Sequence, residues 1–392
     1  MMCTSENCTC DFLVRVINPL VNLRNTSKHL GSFAGCVFEE PIPFFERFEK
    51  EIPITPPQFK FDEKYMLCIG DIHGDFLVLL SVLRLMKIID DHGNFILAQP
   101  TLIVQLGDLL DSSGRGCSLP TNRLKNNREE VDILQYLHWL RLEAEKNGSK
   151  IVTLLGNHEI SRFDTNLGDF YQKYVGEQWK GWVGEQQGLK EMQQFFHKTM
   201  TFYFAKYFPI FVSNRYFVCM HAGISFKTLM YREDILDDVE RRALIPNLNE
   251  NIFKFFTLKI PKEKNQLWNY FILPFVLERF PMNPAENSHL DEKDCQKILP
   301  TALHIFNTKA FVLGHSIQED FQPFCNSRVF RIDFGMSYAF ACAQEKNLRA
   351  LFVRQIITNG VFDNNLSKVF LIECGKEEHI YKQQIKPINL NF

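Results

Sequence analysis

Short apolar runs that stop at a glycine recur along this chain, and stretches of helical spacing separate them. Tyr65 to Ile69 is one such run, closed by Gly70, and it predicts a buried strand. Phe76 to Ile89 then brings Leu77, Leu80, Val82, Leu83 and Met86 at helical spacing. Thr101 to Leu106 and Ile151 to Leu155 repeat the strand pattern and stop at Gly107 and Gly156. Between them, Arg128 to Lys146 carries Val131, Leu134, Leu137, Leu140 and Leu142 in a crossover-helix pattern. Tyr216 to Met220 leads into His221-Ala-Gly223, and Ala310 to Leu313 leads into Gly314-His315-Ser316. Gly188 to Tyr207 reads as a further helix, and 225–303 is mostly helical in composition, interrupted by prolines. From Arg328 onward, Val329 to Ile332, Ala350 to Ile356 and Val369 to Ile372 predict strands of a closing sheet. Ahead of the first strand, Pro41, Pro43, Pro53, Pro56 and Pro57 resist both helix and central strand. The neighbouring Phe44, Phe45, Phe48, Phe59 and Phe61 predict that this lead-in packs, since disordered segments are poor in aromatics.

The residues just past these strands are polar. Asp71 and His73 come after the first, Asp108 and Asp111 after the second, and Asn157, His158 and Glu159 after the third; His221 and His315 end the fourth and fifth. Turns of this kind lie at the carboxyl edge of a sheet, where ligands bind, and Asp alternating with His offers an oxygen and a nitrogen to one metal ion. A capping aspartate or a satisfied loop histidine explains any single turn. Five strands that each end on a metal-competent side chain predict a metal site.

Gly70-Asp-Ile-His-Gly-Asp75, Gly107-Asp-Leu-Leu-Asp111, Gly156-Asn-His-Glu159, His221-Ala-Gly223 and Gly314-His-Ser316, in this order, resemble the calcineurin-type metallophosphoesterases. Glu159 after His158 is similar to the phosphoprotein phosphatase branch, because the superfamily's nucleases and many phosphodiesterases usually carry Asp there. The first motif and Leu167-Gly-Asp-Phe-Tyr-Gln-Lys-Tyr-Val175 resemble the Shewanella-like phosphatases. The resemblance implies a four-layer α/β sandwich, with two mixed sheets facing one another, helices outside and the site at the strand ends. It also implies a catalytic domain over 61–392 with a mostly helical cap insertion at 225–303, preceded by the lead-in at 1–60.

The resemblance assigns Asp71 and His73 to a first metal and Asp108 to a bridge between two ions. Asn157, His221 and His315 hold the second, and Asn157 also faces substrate. A hydroxide shared by the two ions is then the nucleophile for phosphomonoesters, with Ser/Thr phosphoproteins as the expected substrates. Imidazole and carboxylate suit manganese, iron or zinc better than calcium, and manganese is the first expectation. His158 and Asp111 resemble the family's proton-donating dyad, in which a carboxylate fixes the ring and keeps a proton ready for the leaving group. Glu159 is expected to support the site without taking part in chemistry. Where the family usually continues Asp-Arg-Gly, this chain interposes Ser112, Ser113 and Gly114 before Arg115. Arg115 is therefore the expected phosphate grip only if the glycines return it, and Arg162 is the alternative by proximity.

Composition narrows the rest. The 392 residues are 45% hydrophobic, enough for one large or two ordinary domains, and 44 Lys and Arg against 46 Asp and Glu give a net charge of −2. That balance predicts neither a nucleic-acid nor a membrane partner, so the expected partner is a phosphorylated protein or a small phosphoester. Eleven scattered cysteines, with no secretory leader, predict free thiols and a cytoplasmic protein, including Cys3, Cys8 and Cys10 near the amino terminus. A dinucleoside polyphosphate hydrolase using the same metals is the main competing expectation, followed by a phosphodiesterase. An inactive binding protein would normally lose a metal ligand, and none of the six is missing. Phe, at 37 residues, is unusually frequent without a functional reason in the sequence.

Overall fold

A computed structural model describes residues 32–48, 61, 64–111, 129–162, 194–214, 216–223, 292–318, 320–337, 349–354, 357–358, 361–362, 367–377 and 380–388. Most of the strands fall into two mixed sheets. The first takes β3 (Tyr65–Ile69), β4 (Thr101–Gln105) and β5 (Lys150–Thr153) in parallel, as the uninterrupted apolar runs require. On the other side of β3, β11 (Arg349–Arg354), β14 (Lys368–Glu377) and β15 (Ile380–Ile388) continue it antiparallel. Between β11 and β14, β12 (Ile357–Thr358) and β13 (Val361–Phe362) pair as a small antiparallel ribbon. The second sheet runs β6 (Phe211–Ser213), β7 (Phe217–Met220), β8 (Ala310–Leu313), β10 (Val329–Arg331), β9 (Pro323–Phe324), with β7, β8 and β10 parallel. The expected closing sheet is thus divided: β10 joins the second sheet, while β11 and β14 complete the first.

The sheets face each other. Cys68 Sγ of β3 lies 3.8 Å from Cys219 Sγ of β7, and Asn214 donates to Met66 Sδ at 3.7 Å. At the strand ends the backbones themselves meet. A Cβ on Gly70 would lie 2.2 Å from the Ile332 carbonyl oxygen, so only glycine fits where β3 and β10 close on one another.

Helices pack against the sheets and against one another. The first is α2 (Phe76–Leu85), capped by Asp75, whose side chain accepts from the Val78 amide at 3.1 Å. It ends short of the predicted Ile89, because Lys87 takes a left-handed φ of 55° and Ile89 instead bridges Phe95. Next comes α3 (Glu129–Glu145), which packs on β5. Leu142, placed by its spacing on the apolar pattern, is 47% exposed, while Ile133, Tyr136 and Leu140 are buried. Only the end of the predicted helix at Gly188 to Tyr207 is described, as a π turn at Phe196–Met200 followed by α5 (Thr201–Tyr207). Of 225–303, only the start of α6 (Glu292–Phe306) is described; Phe306 packs edge-on against Phe211 and Phe311 of the second sheet.

The lead-in corrects one expectation. Pro41–Glu46 is a helix, α1, because Pro41 and Pro43 fall in its first turn, where the amides need no intrahelical acceptor. It follows a short hairpin, β1 (Ser32–Phe33) with β2 (Cys36–Val37). Phe44, Phe45 and Phe48 are buried, and all three meet the Tyr203 ring. Edge-to-face contacts of this kind add about 0.5–1.5 kcal/mol each beyond burial. Part of the phenylalanine excess is therefore packing. In the described part of the lead-in, Phe44 and Phe48 meet both His138 of α3 and Tyr203 of α5.

One further expectation needs amending. Cys295 of α6 and Cys325 in the turn before β10 form a disulfide, while Cys36, Cys68 and Cys219 are free and buried. Odd, scattered spacing gave no sign of that pair, whose members only meet once β8 and β10 are side by side. No helix among the described residues is long and apolar enough to cross a membrane. Cys3, Cys8 and Cys10, Phe59, Arg115 and the 167–175 motif lie outside the described residues.

Candidate metal centre

The glycine-ended strands of both sheets deliver their polar residues to one place. His73, Asp108, Asp111 and His315 have left-handed φ values of 45°, 50°, 67° and 63°. This conformation costs energy in L-residues, and it persists at sites only where surrounding contacts over-determine it. Those contacts are present. The amides of Ile72 and His73 donate to the Asp108 carbonyl at 3.1 and 2.8 Å, and the His315 amide donates to Asp71 Oδ2 at 3.0 Å, joining the second sheet to the first. Glu159 accepts from the amides of Asp108, Gly156 and Leu110 at 2.9, 2.9 and 3.0 Å. It therefore ties the second motif to the third, the supporting role expected of it. Burial, and then the Asp108 carboxylate, push its carboxyl up to about 7.

Two groups of donors share one carboxylate. His73, Asp108 and His158 form one, and Asp108, His221 and His315 the other, each with ligand atoms within 4.8 Å of one another. His73 and His221 turn Nδ1 to the carbonyls of Leu110 and Leu106, at 3.2 and 2.8 Å, leaving Nε2 for the cluster. His221 Nε2 faces Asn157 Oδ1 at 3.0 Å and Asp108 Oδ1 at 3.3 Å; His73 Nε2 faces Asp108 Oδ2 at 3.8 Å and Asp71 Oδ2 at 3.9 Å. All these residues are buried apart from half-buried His315.

His158 lies on the short α4 (Asn157–Ser161). Its Nδ1 meets Asp111 Oδ2 at 2.8 Å, its amide donates to Asp108 Oδ1 at 2.9 Å, and its Nε2 lies 3.8 Å from Asp108 Oδ2. Asp111 is held below the usual carboxylate range: burial opposes ionisation, but Arg162 and His158 outweigh it. Arg162 is the alternative grip by proximity to His158 alone. It is 0% exposed and its Nη2 is bonded to Asp111 and to Glu130, so it is not placed to grip a phosphate entering from solvent.

Sequence reasoning thus brought Asp71, His73, Asp108, Asp111, Asn157, His158, His221 and His315 to one cluster. It missed Glu130, which reads as an ordinary acidic first turn, and Asp333. Asp333 comes after the apolar run of β10 and precedes Gly335, the same strand-then-polar-turn pattern that flagged the others. It is buried, its carboxylate accepts from the Gly335 amide at 2.9 Å, and its charge is felt at Asp71.

The electrostatics fit a cation. Burial, then Asp333 and Asp108, push the Asp71 carboxyl well above its ordinary range. Asp108 is held well below it, because His221, His158 and His73 outweigh the effect of burial. The His221 imidazole is raised by Asp108 in spite of burial. A buried excess of carboxylate, faced by imidazole nitrogens whose other nitrogen is already bonded, is stabilised by positive charge at its centre. Nitrogen and oxygen donors without a thiolate suit manganese, iron or zinc.

Imidazole and carboxylate gathered where two facing mixed sheets end make a candidate metal site. The model of the Calcineurin-like phosphoesterase family matches residues 65–319, and the chain belongs to that family. Its chemistry is metal-dependent phosphoester hydrolysis. The chain is 27% identical over 287 residues to Shewanella-like protein phosphatase 1 of Plasmodium berghei, covering 69% of this chain and 67% of that one. It is 25% identical over 350 residues to Shewanella-like protein phosphatase 2 of Arabidopsis thaliana, covering 80% and 82%. The fold is that of a crystallised cold-active protein tyrosine phosphatase, with a TM-score of 0.52 and 20% identity over 86% of this chain and 82% of that one.

Proposed function

We propose that the chain is a phosphomonoesterase acting on phosphoproteins, with Ser/Thr esters as its substrates, and that it works with two metal ions. The observation that supports this most is that Asp108 is shared by two donor groups, one of which includes His158, the histidine paired with Asp111. In this reading Asp71, His73 and Asp108 hold one ion, and Asp108, Asn157, His221 and His315 the other. When bound, the two ions supply a nucleophile from water at neutral pH and compensate phosphoryl charge. The chain's own residues do the rest. Asp111 accepts from His158 Nδ1 and fixes the ring so that Nε2 can give its proton to the departing serine or threonine oxygen. The half-buried His315 edge, with Asn157, admits the phosphate.

The protein-phosphatase names of the two relatives support a phosphoprotein substrate. Full-length protein loaded with manganese, iron or zinc should be assayed on phosphoserine, phosphothreonine and phosphotyrosine peptides, a dinucleoside polyphosphate and a phosphodiester. Faster turnover of the phosphoserine and phosphothreonine peptides, with metal bound at about two ions per chain, is the expected result. Preference for the dinucleotide or for phosphotyrosine would overturn the substrate assignment.

A further inference from the structure

We infer that Arg162, held by Glu130, positions the proton-donating pair and does not bind substrate; this rests on the phosphatase reading above. Four groups form one buried chain. Glu130 Oε1 and Oε2 accept from Arg162 Nη2 at 2.9 and 3.0 Å, and the same Nη2 bonds Asp111 Oδ1. The remaining carboxylate oxygen, Asp111 Oδ2, holds His158 Nδ1 at 2.8 Å. Glu130 also takes the Asp111 amide at 2.7 Å. Asp111 is therefore gripped at its backbone and at one oxygen, and its second oxygen is left facing the histidine.

This grip has a purpose in a residue with φ of 67°, because a non-glycine residue holds that conformation only when its neighbours enforce it. His158 and Arg162 are four residues apart at one short helical turn, a spacing that sets side chains on the same face. One turn thus presents both the imidazole and the clamp on its carboxylate. The Phe196 ring lies 5.3 Å from the guanidinium carbon, and Arg162 is fully buried. Without Arg162, the Asp111 carboxylate is free to rotate and the His158 ring loses its orientation. The proton on Nε2 is then less well aimed. Only substrates whose leaving group needs that proton should suffer.

The test compares Arg162→Lys and the double variant Arg162→Met/Glu130→Gln with wild type, as manganese-loaded full-length protein. The substrates are a phosphoserine peptide and an aryl phosphate whose phenolate leaves unaided. The double variant removes both buried charges together, avoiding the cost of leaving one unpaired. The expected result is a fall in kcat on the peptide on the order of 10- to 100-fold, with about threefold or less on the aryl ester and KM nearly unchanged. Manganese content and melting temperature should stay near wild type, and the lysine variant should lose less than the double variant. Equal losses on both esters with metal intact would overturn the proposal, as would an unchanged kcat. A raised KM on both esters would overturn it in favour of phosphate binding. Loss of cooperative melting in both variants would make Arg162 a folding residue and sink it as well. If wild type itself hydrolyses neither ester, the phosphatase reading falls and carries this one with it; failure confined to the variants touches Arg162 alone.

Discussion

Asp108 is the one side chain common to both donor groups, and its carboxylate also accepts the His158 amide. Asp108→Asn keeps the shape but removes the charge that both ions would share. We expect this substitution to abolish hydrolysis and to lower the affinity for both metals, which metal analysis after dialysis would show; two tightly held ions and normal turnover would contradict it. His158→Asn should act differently. It should cost on the order of 10²–10⁴-fold on a phosphoserine peptide and clearly less on an aryl phosphate, with metal retained. Loss of a metal ion from this variant would instead make His158 a ligand, a role its distance to Asp108 permits.

The eight clustered residues were legible because each ends an apolar run and belongs to a fixed motif, a signal local in sequence. Arg162, named only by its nearness to His158, and Glu130, unread, were obscure for the opposite reason. Their meaning lies in partners 51 and 32 residues away, and nothing in either neighbourhood announces a buried ion pair. At the scale of elements the pattern was similar. The five motif strands were visible, but α1 was hidden because proline is a breaker inside a helix and a favoured starter at its first turn. The division of the late strands between two sheets was not visible at all, since β10 and β11 have equally apolar patterns and only their long-range partners differ.

The face where α1, α3 and α5 meet gives the clearest prediction for an element. His138 of α3 is boxed by Phe44, Phe48, Tyr203 and Tyr207, and burial, then Arg141, Arg47 and Lys206, push its imidazole down from 6.5 to about 3. The unfolded chain therefore takes up a proton near pH 6.5 that the folded one refuses until near pH 3. Stability from this group is complete above the upper value and is lost as pH falls through the window, about 1.4 kcal/mol per unit. His138→Phe should flatten that part of the acid limb. Melting curves at about pH 7.5 and about pH 5 should converge in the variant relative to wild type. An identical acid sensitivity in the two would remove His138 as a cause.

At the scale of the whole molecule, the centre is where the two sheets are fastened. Asp71, Asp108 and Asn157 come from the first sheet's strand ends, and His221 and His315 from the second's. A ligand that binds only when these five are together stabilises the native state by mass action, about 2.7 kcal/mol at a concentration 100 times its dissociation constant. Manganese added to chelator-treated protein should therefore raise the melting temperature with the logarithm of its concentration, and should fail to do so in Asp108→Asn. A melting temperature indifferent to metal would show that the sheets are fastened by packing alone. The Cys295–Cys325 bridge is a separate tie, holding α6 to the turn before β10 beside the second sheet.

The sheet order also has a consequence for a ribosome making this chain from its amino terminus. Strand β3 is central in its sheet, yet one of its two neighbours is β4, some 35 residues on, and the other is β11, almost 300 residues on. Until β11 is made its free edge is an open apolar template, and His315 comes only after β8. Nascent chains halted before β8 should neither retain metal nor resist protease, whereas chains halted after β15 with enough tether should do both. By this order the protein becomes an enzyme only once β8 and β11 have both been made.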